Sequence, residues 1–154
     1  MAEPLDDSPT IDRLRADPGL AGSAVDEGMR FAPLPWVIPH RATRDMIYWD
    51  IAFAEGDLAF VMVPAANRDP SATERSEEFI IEGAPTRHFA FRVGMHSCPG
   101  AHLAKMEMSM ALLGLLESYA DIQQAAPPEW EPGQEGRALR RLDITIRKLK
   151  PLHG

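Results

Sequence analysis

The sequence predicts a mainly helical fold with small β strand pairs, and three observations carry that expectation. Leu103, Met106, Met110, Leu113 and Leu116 form one stripe at helical spacing. Between residues 44 and 64, two short apolar runs, Met46-Ile47-Tyr48-Trp49 and Leu58 to Val63, flank Asp50 and a Glu55-Gly56-Asp57 turn. Leu142, Ile144 and Ile146 alternate with polar residues, the period of a terminal strand.

In chain order, residues 1–9 are polar and are expected to form a flexible N-terminus, with the folded domain spanning 10–154. Thr10 is placed as an N-cap, with Ile11 and Leu14 three apart and Pro18 closing a short helix. A second helix runs from about Leu20 to Phe31, with Ala24 and Met29 inward. From Ala32 to Pro39, prolines alternate with large apolar residues, which predicts an extended, buried linker. Pro64 to Arg87 is polar and without period, a long irregular stretch of the kind that carries function. The best helix spans roughly Pro99 to Tyr119, with Met106, Met108 and Met110 as flexible filler. Residues 127–133 read as a turn-rich connector.

Composition narrows the function classes. The 154 residues carry a formal net charge of −7, against the basic footprint of a nucleic-acid binder. The apolar fraction of 45% suits one globular domain with a real core. The start is acidic and lacks a signal peptide's basic and apolar regions, and the apolar run 106–116 is too short for a membrane span. One cysteine excludes an internal disulfide, and the expected location is the cytoplasm.

That cysteine, Cys98, immediately precedes Pro99, and proline favours the first helical position, so Cys98 is expected to cap the longest helix. Unpaired amides and the positive end of the helix dipole would then favour its thiolate. Gly94 and Gly100 would let backbone approach whatever the sulfur binds. A lone cysteine also suits the core as a small apolar residue. A zinc site from His88, His96, Cys98 and His102 matches no standard spacing, and a Cys–His nucleophile pair lacks a third orienting group.

The string Phe91-x-x-Gly94-x-His96-x-Cys98-x-Gly100, followed by Ala101-His102-Leu103-Ala104, resembles the haem-binding loop of the cytochrome P-450 family. Glu27-Gly-Met-Arg30, followed by Phe31-Ala-Pro33, is similar to the family's K helix, where residues three apart share a face and can form a structural ion pair. Arg41-Ala-Thr-Arg44-Asp45, Ala54-Glu-Gly56-Asp57 and Ala66-Asn67-Arg68-Asp69-Pro70 follow in family order. The resemblance covers roughly residues 10–147 and implies the C-terminal, proximal part of the family's domain, less than half of it. It implies haem b with the Cys98 thiolate as axial iron ligand. It further implies that His96 and Arg41 bind the propionates and that Phe91 packs near the sulfur.

Two positions depart from the pattern. Arg92 stands where the family usually has glycine, and Glu78 stands where an arginine usually precedes Phe79, with Arg75 or Arg87 as substitutes. The resemblance implies a monooxygenase fed by a ferredoxin or reductase. The distal helix with the oxygen-activating pair has no counterpart here, so the chain alone is expected to be inactive. The alternative is a non-catalytic haem-binding remnant, or one half of a split protein needing a complementing chain or self-association. Leu34–His40 is the stretch that could line a substrate pocket. The basic residues Arg137, Arg140, Arg141, Arg147, Lys148 and Lys150 form a solvated face, or a docking face for an acidic redox partner.

Overall fold

The computed structural model describes residues 8–83, 87–133 and 136–149. Helix α1 spans Ser8–Ala16 and α2 spans Ala21–Phe31, joined by a 3-10 turn over Pro18–Leu20 whose N-terminal amide, Gly19 N–H, is capped by the Asp17 carboxylate at 3.0 Å. The N-terminal expectation is corrected: α1 begins at Ser8, ahead of Thr10, because Pro9 needs no amide partner in a first turn. Residues 1–7 lie outside the described residues.

Four two-stranded antiparallel sheets follow. Strand β1 (Val37–Arg41) pairs with β4 (Leu58–Met62), and between them β2 (Met46–Tyr48) pairs with β3 (Ile51–Phe53). The proline-rich linker is therefore partly a strand, and only Pro33 and Ile38 within it are buried. Pro39 is tolerated in β1 opposite Phe60, as prolines are where only one neighbouring strand is present. The irregular stretch expected from Pro64 is corrected at its start, where helix α3 (Val63–Asn67) carries Pro64 in its first turn, a place where proline needs no amide partner.

Helix α4 (Ala101–Ser118) runs directly into β5 (Tyr119–Gln124), which pairs with β8 (Ile144–Lys148). The expected connector at 127–133 contains β6 (Glu129–Pro132), which pairs with β7 (Arg137–Arg141). Gly136 bridges to Pro35, and a Cβ there would collide with the Leu34 carbonyl, so only glycine allows this approach. Among the basic residues of these strands, Arg141 pairs with Asp143 at 2.9 Å and Arg147 lies 3.9 Å from Asp121. Lys150 lies outside the described residues.

The core gathers Leu14 of α1, Ala24 of α2, Ile81 and Leu116 of α4, with Ile11, Leu20, Leu112 and Ile122 packed against it. The α4 stripe is corrected: Leu103, Met106 and Met110 are exposed, and of the five only Leu116 is buried. Apolar residues surround this helix on all sides, the signature of a helix covered all round, yet α2 and α1 cover one side only. The β2–β3 hairpin is likewise open, with Ile47, Tyr48, Trp49 and Ile51 exposed.

Candidate functional site

Glu27 and Arg30 sit one turn apart near the end of α2, and both side chains are buried, at 5% and 1% exposure. Arg30 Nε and Nη2 donate to the two Glu27 oxygens at 2.8 Å each. The remaining guanidinium donors reach the carbonyls of Asn67, Ser76 and Glu78 at 3.0, 2.7 and 2.8 Å. All five N–H groups are thereby used, which is what an enclosed cation requires. Glu27 Oε1 also accepts the Ile80 N–H at 2.9 Å. The paired carboxylate raises the Arg30 pKa further above its already high value, against the opposing effect of burial.

The two departures take definite shapes. Glu78 contributes its backbone carbonyl to Arg30, while its side chain turns outward to Arg75. Arg75 therefore does not complete the Glu27–Arg30 network, and Arg87 is exposed. The nearby cation is Arg68, which stacks 3.8 Å from the Phe31 ring centroid and donates to the Phe31 carbonyl at 2.9 Å. Arg92 sits at φ 59°, the left-handed region that explains a glycine preference at this place.

Asn67, buried at the end of α3, was not singled out by the sequence beyond its place in the Ala-Asn-Arg-Asp-Pro run. Its Nδ2 donates to the Arg30 carbonyl at 3.1 Å and its Oδ1 accepts the Phe89 N–H at 2.8 Å. It thus ties the Arg30 knot to the segment leading into the cysteine loop. Asp26 of α2, Lys105 of α4 and His88 form a second tie: Lys105 Nζ lies 2.6 Å and His88 Nε2 3.5 Å from Asp26 Oδ1.

In the cysteine loop, Phe91 closes a turn in which the Arg92 N–H donates to the Phe89 carbonyl at 2.9 Å. Gly94 takes φ 71°, and Gly94–His96 form a 3-10 turn. The chain then doubles back so that the Cys98 N–H donates to the Phe91 carbonyl at 2.9 Å. The capping expectation is corrected: Gly100 is the N-cap of α4, and Cys98 precedes it. Pro99 and Gly100 form a turn closed by the Ala101 N–H on the Cys98 carbonyl at 3.2 Å, so the proline starts a turn rather than the helix.

Cys98 is exposed, which removes the small-core-residue alternative. Among the described residues, no group of His, Cys, Asp and Glu is gathered for a metal ion, so the zinc alternative has no geometry. His102 is exposed on α4. The Phe91 ring packs 6.1 Å from His88, with Lys105 Nζ 5.9 Å from its centroid. His96 is exposed on the loop, and Arg41, at the end of β1, donates to the Gly56 carbonyl at 2.9 Å.

The residues fit the haem that the resemblance implies. A Cβ on Gly100 would lie 3.9 Å from Cys98 Sγ with no other atom within 4 Å, and one on Gly94 would meet open space. The exposed sulfur thus has no side chain from Gly100 against it, and a single thiolate suits an iron whose other ligands come from a macrocycle.

Residues 6–135 match the family model described as Cytochrome P450. The chain is 32% identical to the polyketide biosynthesis cytochrome P450 PksS of Bacillus subtilis (strain 168), over 89% of this chain and 35% of that protein. It is 35% identical to Cytochrome P450 107B1 of Saccharopolyspora erythraea, over 85% of this chain and 33% of that one. A crystal structure of P450BioI, in complex with an acyl carrier protein ligated to hexadec-9Z-enoic acid, superposes with a TM-score of 0.88 at 29% identity, covering 93% of this chain and 37% of that one. The chain spans about a third of the length of the curated relatives it matches. With the Glu27–Arg30 knot, the exposed cysteine loop and these likenesses together, the chain belongs to the cytochrome P450 family and corresponds to the C-terminal portion of its fold.

Proposed function

We propose that this chain provides the proximal, sulfur-bearing side of a haem monooxygenase, with Cys98 as the axial ligand of haem b. The observation that carries the reading is the exposed Cys98 side chain on a backbone pinned by the Phe91 carbonyl, with Gly100 placing no side chain against its sulfur. When bound, the haem would supply activation of O₂, with one oxygen atom inserted into an organic substrate and the other released as water, at the expense of two electrons from a ferredoxin or reductase and two protons from solvent. Cys98 binds and orients the iron and donates electron density through its thiolate. His96 and Arg41 hold the propionates by charge-assisted hydrogen bonds, for which Arg41 leaves Gly56. Phe91 shields the sulfur from water, and Gly94 and Gly100 give the ring its approach. Glu27 and Arg30 act as the structural ion pair beneath the loop.

Turnover by this reading requires further polypeptide over the other haem face. The exposed apolar sides of α4 and of the β2–β3 hairpin are consistent with such a covering surface, from a complementing segment or from a second copy. Arg92 favours a second reading, a haem-binding remnant without oxygen chemistry, because its left-handed backbone carries a full side chain where glycine costs nothing. Members of this family act on diverse organic molecules, and Leu34–His40 is the stretch proposed to line the substrate side. Among the described residues no helix is long and apolar enough to cross a membrane, and the proposed site of action is the cytoplasm.

The test is a carbon monoxide difference spectrum of the reduced, haem-reconstituted chain beside Cys98→Ala. A red-shifted Soret band lost in the variant supports thiolate ligation. A spectrum unchanged by the substitution, or no haem uptake, overturns it.

A further inference from the structure

His88 is enclosed, with 6% of its side chain exposed, and it touches three elements. Its Nδ1 lies 3.3 Å from the Ala90 N–H, which can only donate, so Nδ1 must be an unprotonated acceptor. The ring proton is left for Nε2, which lies 3.5 Å from Asp26 Oδ1 of α2, a charge contact in which that oxygen accepts no hydrogen bond. Lys105 Nζ of α4 reaches the same Asp26 oxygen at 2.6 Å, Glu27 of α2 adds a more distant negative charge, and the Phe91 ring packs on the imidazole. Ala90 and Phe91 belong to the turn closed by Arg92 and Phe89, and the Phe91 carbonyl holds the Cys98 amide.

We propose that His88 is a positioning residue for the Cys98 loop: as a neutral imidazole protonated on Nε2 and enclosed beside the Asp26 carboxylate, it accepts from Ala90 and so fixes the turn whose carbonyl anchors Cys98. The assignment rests on the reading of Cys98 as the haem ligand, since otherwise the loop has nothing to present. Protonating Nδ1 would set two N–H groups against each other and release the Ala90 amide. Burial pushes the His88 pKa below its ordinary value, and the Lys105 ammonium adds to that, outweighing Asp26 and Glu27. The sign follows: the unfolded chain takes up the proton first as pH falls. The stabilising contribution is therefore complete above about 6.5 and is lost as pH drops through the lower folded value.

Two measurements on the full ¹⁵N-labelled chain test this without haem. The side-chain ¹⁵N shifts of His88 at pH 7.5 should report the Nε2–H tautomer; an Nδ1–H tautomer or an imidazolium overturns the proposal. Amide exchange at Ala90, Arg92 and Cys98, corrected for intrinsic rates, should lose about tenfold in protection from pH 7.5 to the acid pH at which the same ¹⁵N shifts show the His88 imidazolium, the worth of one neutral hydrogen bond. His88→Asn, whose side-chain oxygen can stand where Nδ1 does, should abolish that acid loss while the Ile80 amide on Glu27 stays protected as in the wild type. An acid loss equal in both proteins, or absent in the wild type, overturns it. Because neither readout involves iron, failure here leaves the thiolate reading standing, and a failed carbon monoxide spectrum leaves the tautomer measurement intact.

Discussion

Arg30 is enclosed, and each of its five guanidinium N–H groups meets an acceptor, whereas Cys98 is exposed and is fixed through its backbone by Phe91 and Ala101. The difference follows from what each region must do. A buried cation is tolerable only when every donor is satisfied, so the knot has to be closed. Under the proposed reading the Cys98 sulfur binds iron and is useful only when its lone pairs face open space, so the loop must hold position without covering it. Asn67 joins the two, with one end on the Arg30 carbonyl and the other on the Phe89 amide.

The largest way to break this comparison is Arg30→Ala, which leaves the enclosed Glu27 carboxylate with only the Ile80 amide and takes the donor from the Asn67, Ser76 and Glu78 carbonyls. Urea unfolding of the chain should show a loss of about 3–5 kcal/mol. The double variant Glu27→Leu/Arg30→Met removes the charges together. It should recover only part of that loss, because the carbonyls of Asn67, Ser76 and Glu78 remain unpaired. Full recovery would mean that the knot is only an ion pair. Asn67→Ala comes next, orphaning one carbonyl and one amide at a cost of about 2 kcal/mol. It should also speed exchange of the Phe89 amide while the Ile80 amide stays protected. Equal loosening at both places would show that Asn67 belongs to the knot alone.

Much of this was legible wherever the determining residues are close in sequence. The Glu-x-x-Arg spacing placed both charges on one face of α2, and the loop string from Phe91 to Gly100 gave the cysteine its neighbours because the loop is a local structure. Arg41 and Asn67 are different, since their partners lie 15, 22 and 37 residues away and no local pattern announces them. The exposed stripe of α4 misled for a physical reason: a helix apolar all round has no periodicity to select its covered side. Strand β1 was hidden by Pro39, which a strand with a free edge tolerates. Strand β5 was hidden because Tyr119 follows α4 with no glycine or proline to punctuate the change.

Smaller changes sharpen the comparison rather than break it, and they concern the two departures from the family pattern. Arg92→Gly should relieve the left-handed strain in the cysteine loop and raise stability by about 1 kcal/mol, read as a higher urea midpoint with unchanged slope. A fall instead would mean that the Arg92 side chain makes a compensating contact. Glu78→Ala is expected to do least. The knot uses only the Glu78 backbone carbonyl, which alanine retains, and the lost carboxylate serves an exposed pair with Arg75. The hydrogen bond from Arg75 holds the Glu78 carboxyl below its ordinary pKa, so any contribution would be present at neutral pH and fade in acid. Wild type and Glu78→Ala should therefore unfold at the same urea midpoint at pH 7, and again at pH 4. A midpoint that separates the two at pH 7 and converges at pH 4 would place the Glu78 side chain inside the network that an arginine usually completes. If the midpoints coincide at both, the knot has dispensed with that arginine by taking a main-chain oxygen in its place.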